Sequence, residues 1–424
     1  MVMAYTFDLP ASFDPLEFLS GRLMLRADDA KWLMSTILRK TAHRDTDIWG
    51  CVRLHSDVLY RVLGDHAGQI VRALEAGGAI ETTPYRAGVK CKGYRLAMRY
   101  LGGRCVRVPC RNPLLLNRLA RERERMQAVA EEARRRWLPI HHALDREQRG
   151  VTIDGDADDI LEGLPDHTRL CQDVLVGRLR RGEFSFSRSS TGRVFNGVTG
   201  LKRELRRALR MAGEPLGGVD IACAQPALLA LKMARGTPAN GLKGAETYKH
   251  YPGPSPAPAP LVPAPPRVRC RGPFASLVLS GRLYEFLAER TGLTRGVVKR
   301  RFLVDVLAKK GRYPSAVERA FREAFPEVHC FVRMVNRSDP AELIRRLQGL
   351  ESWLVIERVS PLLVGRVPCI TLHDAIFSRR SALDTVEDAF EKVFAEIGFR
   401  LRVKREAAEG GAVAAADKLT EAGR

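Results

Sequence analysis

The sequence predicts an α+β fold: short apolar β segments, several ending at an acidic residue, are separated by stretches of helical periodicity. Three observations carry this. Residues 45–98 read as two short helices, an apolar β segment, a basic turn and a second β segment. A short apolar strand around Val219 delivers Asp220 and runs into a helix-compatible apolar stretch, and a second apolar segment, 367–378, surrounds His373 and Asp374.

A chain of 424 residues, 45% of them hydrophobic, buries real cores, and ordinary domain sizes give two or three. The 70 Lys and Arg against 49 Asp and Glu leave a formal charge of +21, which points to a polyanionic partner, nucleic acid first. The competing explanation is that arginine simply follows genomic base composition. Nine cysteines with no CxxC pair argue against a zinc or redox motif and for thiols in a reducing compartment. The acidic N-terminus has no apolar run of a secretory signal, and no segment approaches the roughly 18 apolar residues of a membrane span. A soluble cytoplasmic protein with no membrane partner is expected.

Within 45–98, Asp57 to Leu63 and His66 to Ala76 carry helical periodicity, and Gly77 with Gly78 ends the second helix. Ala79 to Thr83 follows as a strand, a turn holds Arg86, Lys90 and Lys92, and Tyr94 to Leu96 returns as a strand. The order resembles a winged helix, whose second helix and basic wing commonly contact DNA, although such modules also bind proteins. From Pro113 to Trp137 runs an arginine-dense helix whose interspersed glutamates can pair at i,i+3 or i,i+4. It reads as a solvated connector or thumb, with phosphate tracking as the alternative. Residues 252–266, PGPSPAPAPLVPAPP, read as an extended linker or loop because proline lacks the donor and fixes φ.

Three blocks carry chemistry. In the first, a strand end places Asp220 where a ligand is held rigidly. The second, residues 293–307, is an amphipathic helix in which Arg295 and Lys299, four apart, share a face and can grip a triphosphate. The third holds Asp374 in a hairpin or strand end, where an acid among apolar residues is costly unless it binds a cation. Two carboxylates converging on Mg²⁺ or Mn²⁺ supply what phosphoryl transfer needs. Taken singly, each residue also fits a cap, a surface acid or a solvated helix face.

In this order the blocks resemble the signature of family A DNA polymerases and the related single-subunit phage-type RNA polymerases. Thr191, Gly192 and Arg193 match the TGR element, whose arginine contacts the primer-terminal pair. Asp220 falls at motif A, with Gln225 in the segment after it. Arg295 and Lys299 match the RxxxK of the triphosphate-binding fingers helix, and Phe325 to Val328 is similar to the FPxV segment that follows. Gln348 lies where the family often places a glutamine, and His373 with Asp374 matches motif C. The likeness covers residues 187–400. A "DIxxxQPxLL … LQxxES … ITxHD" pattern also resembles uncharacterised plasmid and phage proteins with a winged-helix-like N-terminal region.

The resemblance implies an N-terminal region 1–100 with the winged-helix-like module at 45–98, an Arg-rich connector or thumb at 101–186, a palm with an antiparallel sheet and helical fingers at 187–405, and a tail at 406–424. It implies a template-dependent nucleotidyltransferase acting on DNA or RNA, with Asp220 and Asp374 as metal ligands and Lys299 catalytic. Arg193, Gln348 and His373 would touch the nucleic-acid strand, and nucleoside triphosphates would be the substrates. The sequence departs from the family at Ala375, where DNA polymerases have glutamate and the RNA enzymes do not. It departs again at Leu307, where an aromatic residue helps select the sugar, and in lacking DYSQIE at motif A. The choice between ribo- and deoxyribonucleotides therefore stays open, and residues 1–186 are too short for a proofreading exonuclease. The other readings are a DNA-binding replication initiator or regulator with an inactive palm, and an HD phosphohydrolase, which needs further His and Asp ligands on helices.

Overall fold

The computed structural model describes residues 5–47, 50–85, 91–234 and 272–406, and it is α+β with antiparallel sheets. Arg86, Lys90, the proline-rich 252–266 and residues 407–424 lie outside the described residues. The chain divides into two compact units, one of residues 1–138, 151–185 and 196–210, the other of residues 139–150, 186–195 and 211–424.

In the first unit, helix Ala27–Ala42 buries Ala30, Leu33, Met34, Ile37 and Leu38, an i, i+3, i+4 stripe facing the core. It is tied to strand Thr6–Pro10, where the Asp8 amide donates to Ser35 Oγ (3.0 Å) and Arg39 Nε donates to the buried Asp8 carboxylate (2.7 Å). That strand pairs antiparallel with Cys105–Pro109. Helix Ser56–Leu63 and helix Ala67–Ala76 bury the apolar positions their periodicity marks, among them Leu59, Val62, Ile70 and Leu74. Gly78, at φ +68°, takes the left-handed position past the second helix, and the Ala79 amide donates back to the Leu74 carbonyl at 2.8 Å. Strands Ile80–Thr83 and Gly93–Leu96 form the expected antiparallel pair, and Val52–Arg53, not read from sequence, adds a third strand beside Gly93–Leu96.

Helix Pro113–Arg134 starts where Asn112 Oδ1 accepts from the Leu114 and Leu115 amides, with proline at the first helical position. Leu115 and Leu119 anchor its first turns, and residues 123–136 are exposed on every side. Glu132 pairs with Arg135 and Arg136 there, the solvated-helix pattern expected of i,i+3 and i,i+4 charges.

The second unit is organised by strand Glu214–Ile221. It pairs antiparallel with Ala375–Arg379 on one side and Val403–Glu406 on the other, and Cys369–Leu372 pairs antiparallel with Ala375–Arg379. Helix Leu383–Ile397 packs its Val386, Phe390 and Phe394 face against this sheet. Phe274, Phe302, Phe321 and Phe325 join helices Pro273–Leu279 and Ala316–Ala324 to the stretch after Arg295–Arg301, with ring centroids 5.1–5.9 Å apart. Two helices change pitch: Arg295–Arg301 continues as π-helix Phe302–Leu307, and Glu342–Ser352 as π-helix Trp353–Val359.

Gly218 sits in the central strand where a Cβ would come within 2.8 Å of the Phe377 ring. Gly218→Ala should therefore cost about 1–3 kcal/mol through overpacking. Gly155→Ala, with no atom within 4 Å of its new methyl, should stay within about 0.5 kcal/mol. Urea-denaturation midpoints of the two variants check this, and equal midpoints would contradict it.

Candidate active site

The two predicted acids are brought together by strand register. Asp220 is the penultimate residue of its strand and lies opposite Ala375, the residue after Asp374, while the Ile221 amide donates to the Asp374 carbonyl at 3.3 Å. After Ile221 the chain turns at once into helix Ala224–Ala234, with Cys223 at φ +51°. His373 and Asp374 form the two-residue turn between Leu372 and Ala375, with His373 at φ +58°. A left-handed residue bearing a Cβ costs on the order of 1 kcal/mol, and such strain concentrates at functional sites.

Neither carboxylate is fully compensated. Asp220 Oδ2 lies 3.3 Å from Lys404 Nζ, across the strand pair, and its buried Oδ1 meets no hydrogen-bond donor among the described residues. Burial, above all, pushes Asp220 up to about 6; Lys404 opposes this, while Asp374 and Glu406 add to it. Asp374 is likewise raised to about 6, first by burial and then by the charge of Glu351, with a hydrogen bond from its own backbone amide and the charges of Arg193 and Lys299 opposing.

Glu351 was not anticipated from sequence. It is 1% exposed on helix Glu342–Ser352, where Arg193 Nε and Nη2 donate to its two oxygens at 2.8 Å each and Gln225 Nε2 donates at 2.9 Å. Its pKa is raised by burial, and Arg193 and Gln225 work against that. The turn that presents Arg193 needs Gly192, at φ +83°, where a Cβ would come within 3.1 Å of Ser352. Leu343, Leu347 and Glu351 recur every four residues on one buried stripe, a signal that an acid occupies an apolar face. Lys404 was missed as well, since nothing local marks a strand lysine as an acid's neighbour.

The remaining predicted residues fall as follows. Arg295 opens its helix, pairs with Glu285 and lies over the Tyr284 ring at 5.8 Å, so its guanidinium is already engaged. Lys299, on the same helix, is exposed, makes no ion pair among the described residues, and its charge reaches Asp374 and Cys223. Gln348 shares the helix of Glu351 and is half-buried. The His373 ring packs edge-to-face on Phe195, two residues beyond Arg193, at 5.7 Å. Lys92 belongs to the first unit, 3.4 Å from Glu75, and Arg86 and Lys90 lie outside the described residues. Leu307 is buried, its carbonyl accepting from Asn336 Nδ2 at 2.7 Å, and Phe325 and Val328 are core residues.

Among the described residues no group of three or more His, Cys, Asp or Glu side chains is arranged around one point for a metal. Two hard oxygen donors, one of them buried without a donor partner, nevertheless fit an ion that retains water and takes further ligands from a phosphate-bearing substrate. No protein-family model matches the chain, and comparison with curated proteins returns no match.

The raised acids give a pH dependence of definite sign. An aspartate held at about 6 when folded and about 3.9 when unfolded keeps its proton in the folded state between those values, so its penalty is absent below about pH 4 and complete above about pH 6. Metal-free stability should fall as pH rises through that window. Asp374→Asn should raise it by roughly 1–3 kcal/mol at pH 7 and by much less at pH 4. Denaturant titrations at the two pH values measure this; a pH-independent effect of the substitution would show that the carboxylate is not desolvated.

Proposed function

We propose that the second unit is a polymerase-like palm with helical fingers that performs template-dependent nucleotidyl transfer, with the helix–helix–strand–strand region of the first unit serving as a winged-helix DNA contact. The observation that carries this is the placement of two under-compensated aspartates at adjacent strand ends, with the exposed Lys299 acting on one of them. The family A resemblance of the TGR, RxxxK and HD elements supports the same reading, as does the charge of +21. The partners are a DNA template, with or without a primer, and nucleoside triphosphates; primer synthesis or replication of a mobile element fits such an activity.

When bound at Asp220 and Asp374, a pair of Mg²⁺ or Mn²⁺ ions would activate the 3′-hydroxyl and neutralise charge on the attacked phosphate. The chain's own residues supply the rest. Lys299 neutralises the triphosphate and offers a proton to the departing pyrophosphate, and Arg295 reaches the phosphates by leaving Glu285. Arg193 is held on Glu351 and orients the strand end, with Gln348 and His373 contacting the same strand.

One observation favours a DNA-binding initiator or regulator with an inactive palm: Arg193, Arg295 and Asp220 each already have an ionic partner. Nucleotide incorporation separates the two. In primer extension with separate dNTP and NTP pools, Asp220→Asn and Asp374→Asn should lower incorporation by orders of magnitude while folding and DNA binding survive. Lys299→Ala should mainly lower the rate, and Arg295→Ala should mainly raise the nucleotide KM. Binding should weaken steeply with salt in every case. Wild-type protein that binds DNA but incorporates no nucleotide from either pool would establish the second reading.

A further inference from the structure

Phe195 stands out among the exposed apolar residues by where it lies. On strand Val194–Asn196 its two neighbours are buried, while its own ring is 41% exposed. A phenyl group left in water contributes little to folding, and single exposed apolar residues need no explanation. This one, however, meets the ring of His373 at 5.7 Å and 75°, and His373 is the strained turn residue next to Asp374. The T-shaped contact fixes the ring's orientation and leaves π surface uncovered.

The same hairpin is basic and tied to the core. Its turn is locked through Arg193 on the buried Glu351, and Arg188, on the opposite strand, has a buried Nε with no hydrogen-bond partner among the described residues. With Arg193 committed to Glu351, Arg188 is the guanidinium left on this hairpin, and an exposed ring beside it offers what a single strand requires: a face for a base and a cation for its backbone. Stacking is sequence-tolerant because every base has a π face, which suits an enzyme that must accept any strand end.

We propose that Phe195, steadied by His373, is a stacking shelf for the terminal nucleobase of the bound strand, holding that end beside Asp220 and Asp374. The inference rests on the nucleic-acid synthesis reading and adds a base-binding residue to it. It predicts contact with a base and not with phosphate or metal.

The test uses full-length protein without divalent metal and primer–template oligonucleotides carrying 2-aminopurine either at the primer 3′ end or several nucleotides inside. With wild-type protein, binding should change the emission of the end probe far more than that of the inner probe. Phe195→Ala and Phe195→Leu, the second keeping apolar volume without a ring, should lose the end response and bind about 5-fold or more weakly, and Phe195→Trp should restore both. An end response that persists in the Ala and Leu variants overturns the shelf. Lack of nucleotide incorporation alongside a Phe195-dependent end response removes the catalytic reading and keeps the shelf, whereas wild-type protein that binds no oligonucleotide removes both.

Discussion

The second unit depends on the compensation of one buried carboxylate. An ionised glutamate at 1% exposure is tolerable only if its charge is met and its lone pairs are filled, and Glu351 is met by a bidentate guanidinium and an amide. Those two partners come from separate elements, the hairpin turn bearing Arg193 and the helix that follows Asp220. One desolvated acid therefore fixes the hairpin, the Ala224–Ala234 helix and the Glu342–Ser352 helix relative to one another. Substituting Arg193 leaves a buried charge unmatched and substituting Gln225 leaves one of its lone pairs unfilled, so this polar link adds to the apolar core that Leu228, Leu231, Leu343 and Leu347 share. What charge remains is felt at Asp374, which the same glutamate pushes up.

That residual field links architecture to chemistry. Asp220 and Asp374 lie at neighbouring strand ends, where backbone pairing denies them freedom to move apart, and burial makes their ionised forms costly. On the metal-binding reading we propose, such a site trades stability for readiness: the acids are destabilising when empty, and a bound cation would gain what they lack. In the metal-free protein Lys404 partly fills this role for Asp220. The π-helical stretches Phe302–Leu307 and Trp353–Val359 follow the helices carrying Lys299 and Glu351, a feature common near functional sites.

Much of this was legible in the sequence because it is local. Helices Ser56–Leu63 and Ala67–Ala76, the glycine stop between Ala76 and Ile80 and the His373–Asp374 turn all follow from periodicity and turn chemistry. An aspartate among apolar strand residues is conspicuous by cost alone, which is why Asp220 and Asp374 could be selected without knowing that their strand ends are adjacent. What escaped depends on partners distant in the chain. The pairing of Thr6–Pro10 with Cys105–Pro109 and the neighbour relation of Lys404 to Asp220 have no local signature, whereas the helix Ala27–Ala42 carries an apolar stripe that was readable. Glu351 is different, since its place on the Leu343 and Leu347 stripe was readable. For Arg295 the four-residue spacing from Lys299 was legible, but its ion pair with Glu285, ten residues away, was not.

The central claim is that Asp220 and Asp374 hold a divalent cation between them, and locating that ion tests it most directly. Crystals of the protein soaked in Mn²⁺ with a non-hydrolysable nucleoside triphosphate should give an anomalous-scattering peak within about 2.0–2.3 Å of a carboxylate oxygen from each aspartate, with Lys404 displaced from Asp220. Anomalous density elsewhere, with Lys404 still on Asp220 and no peak between the two acids, would contradict the account.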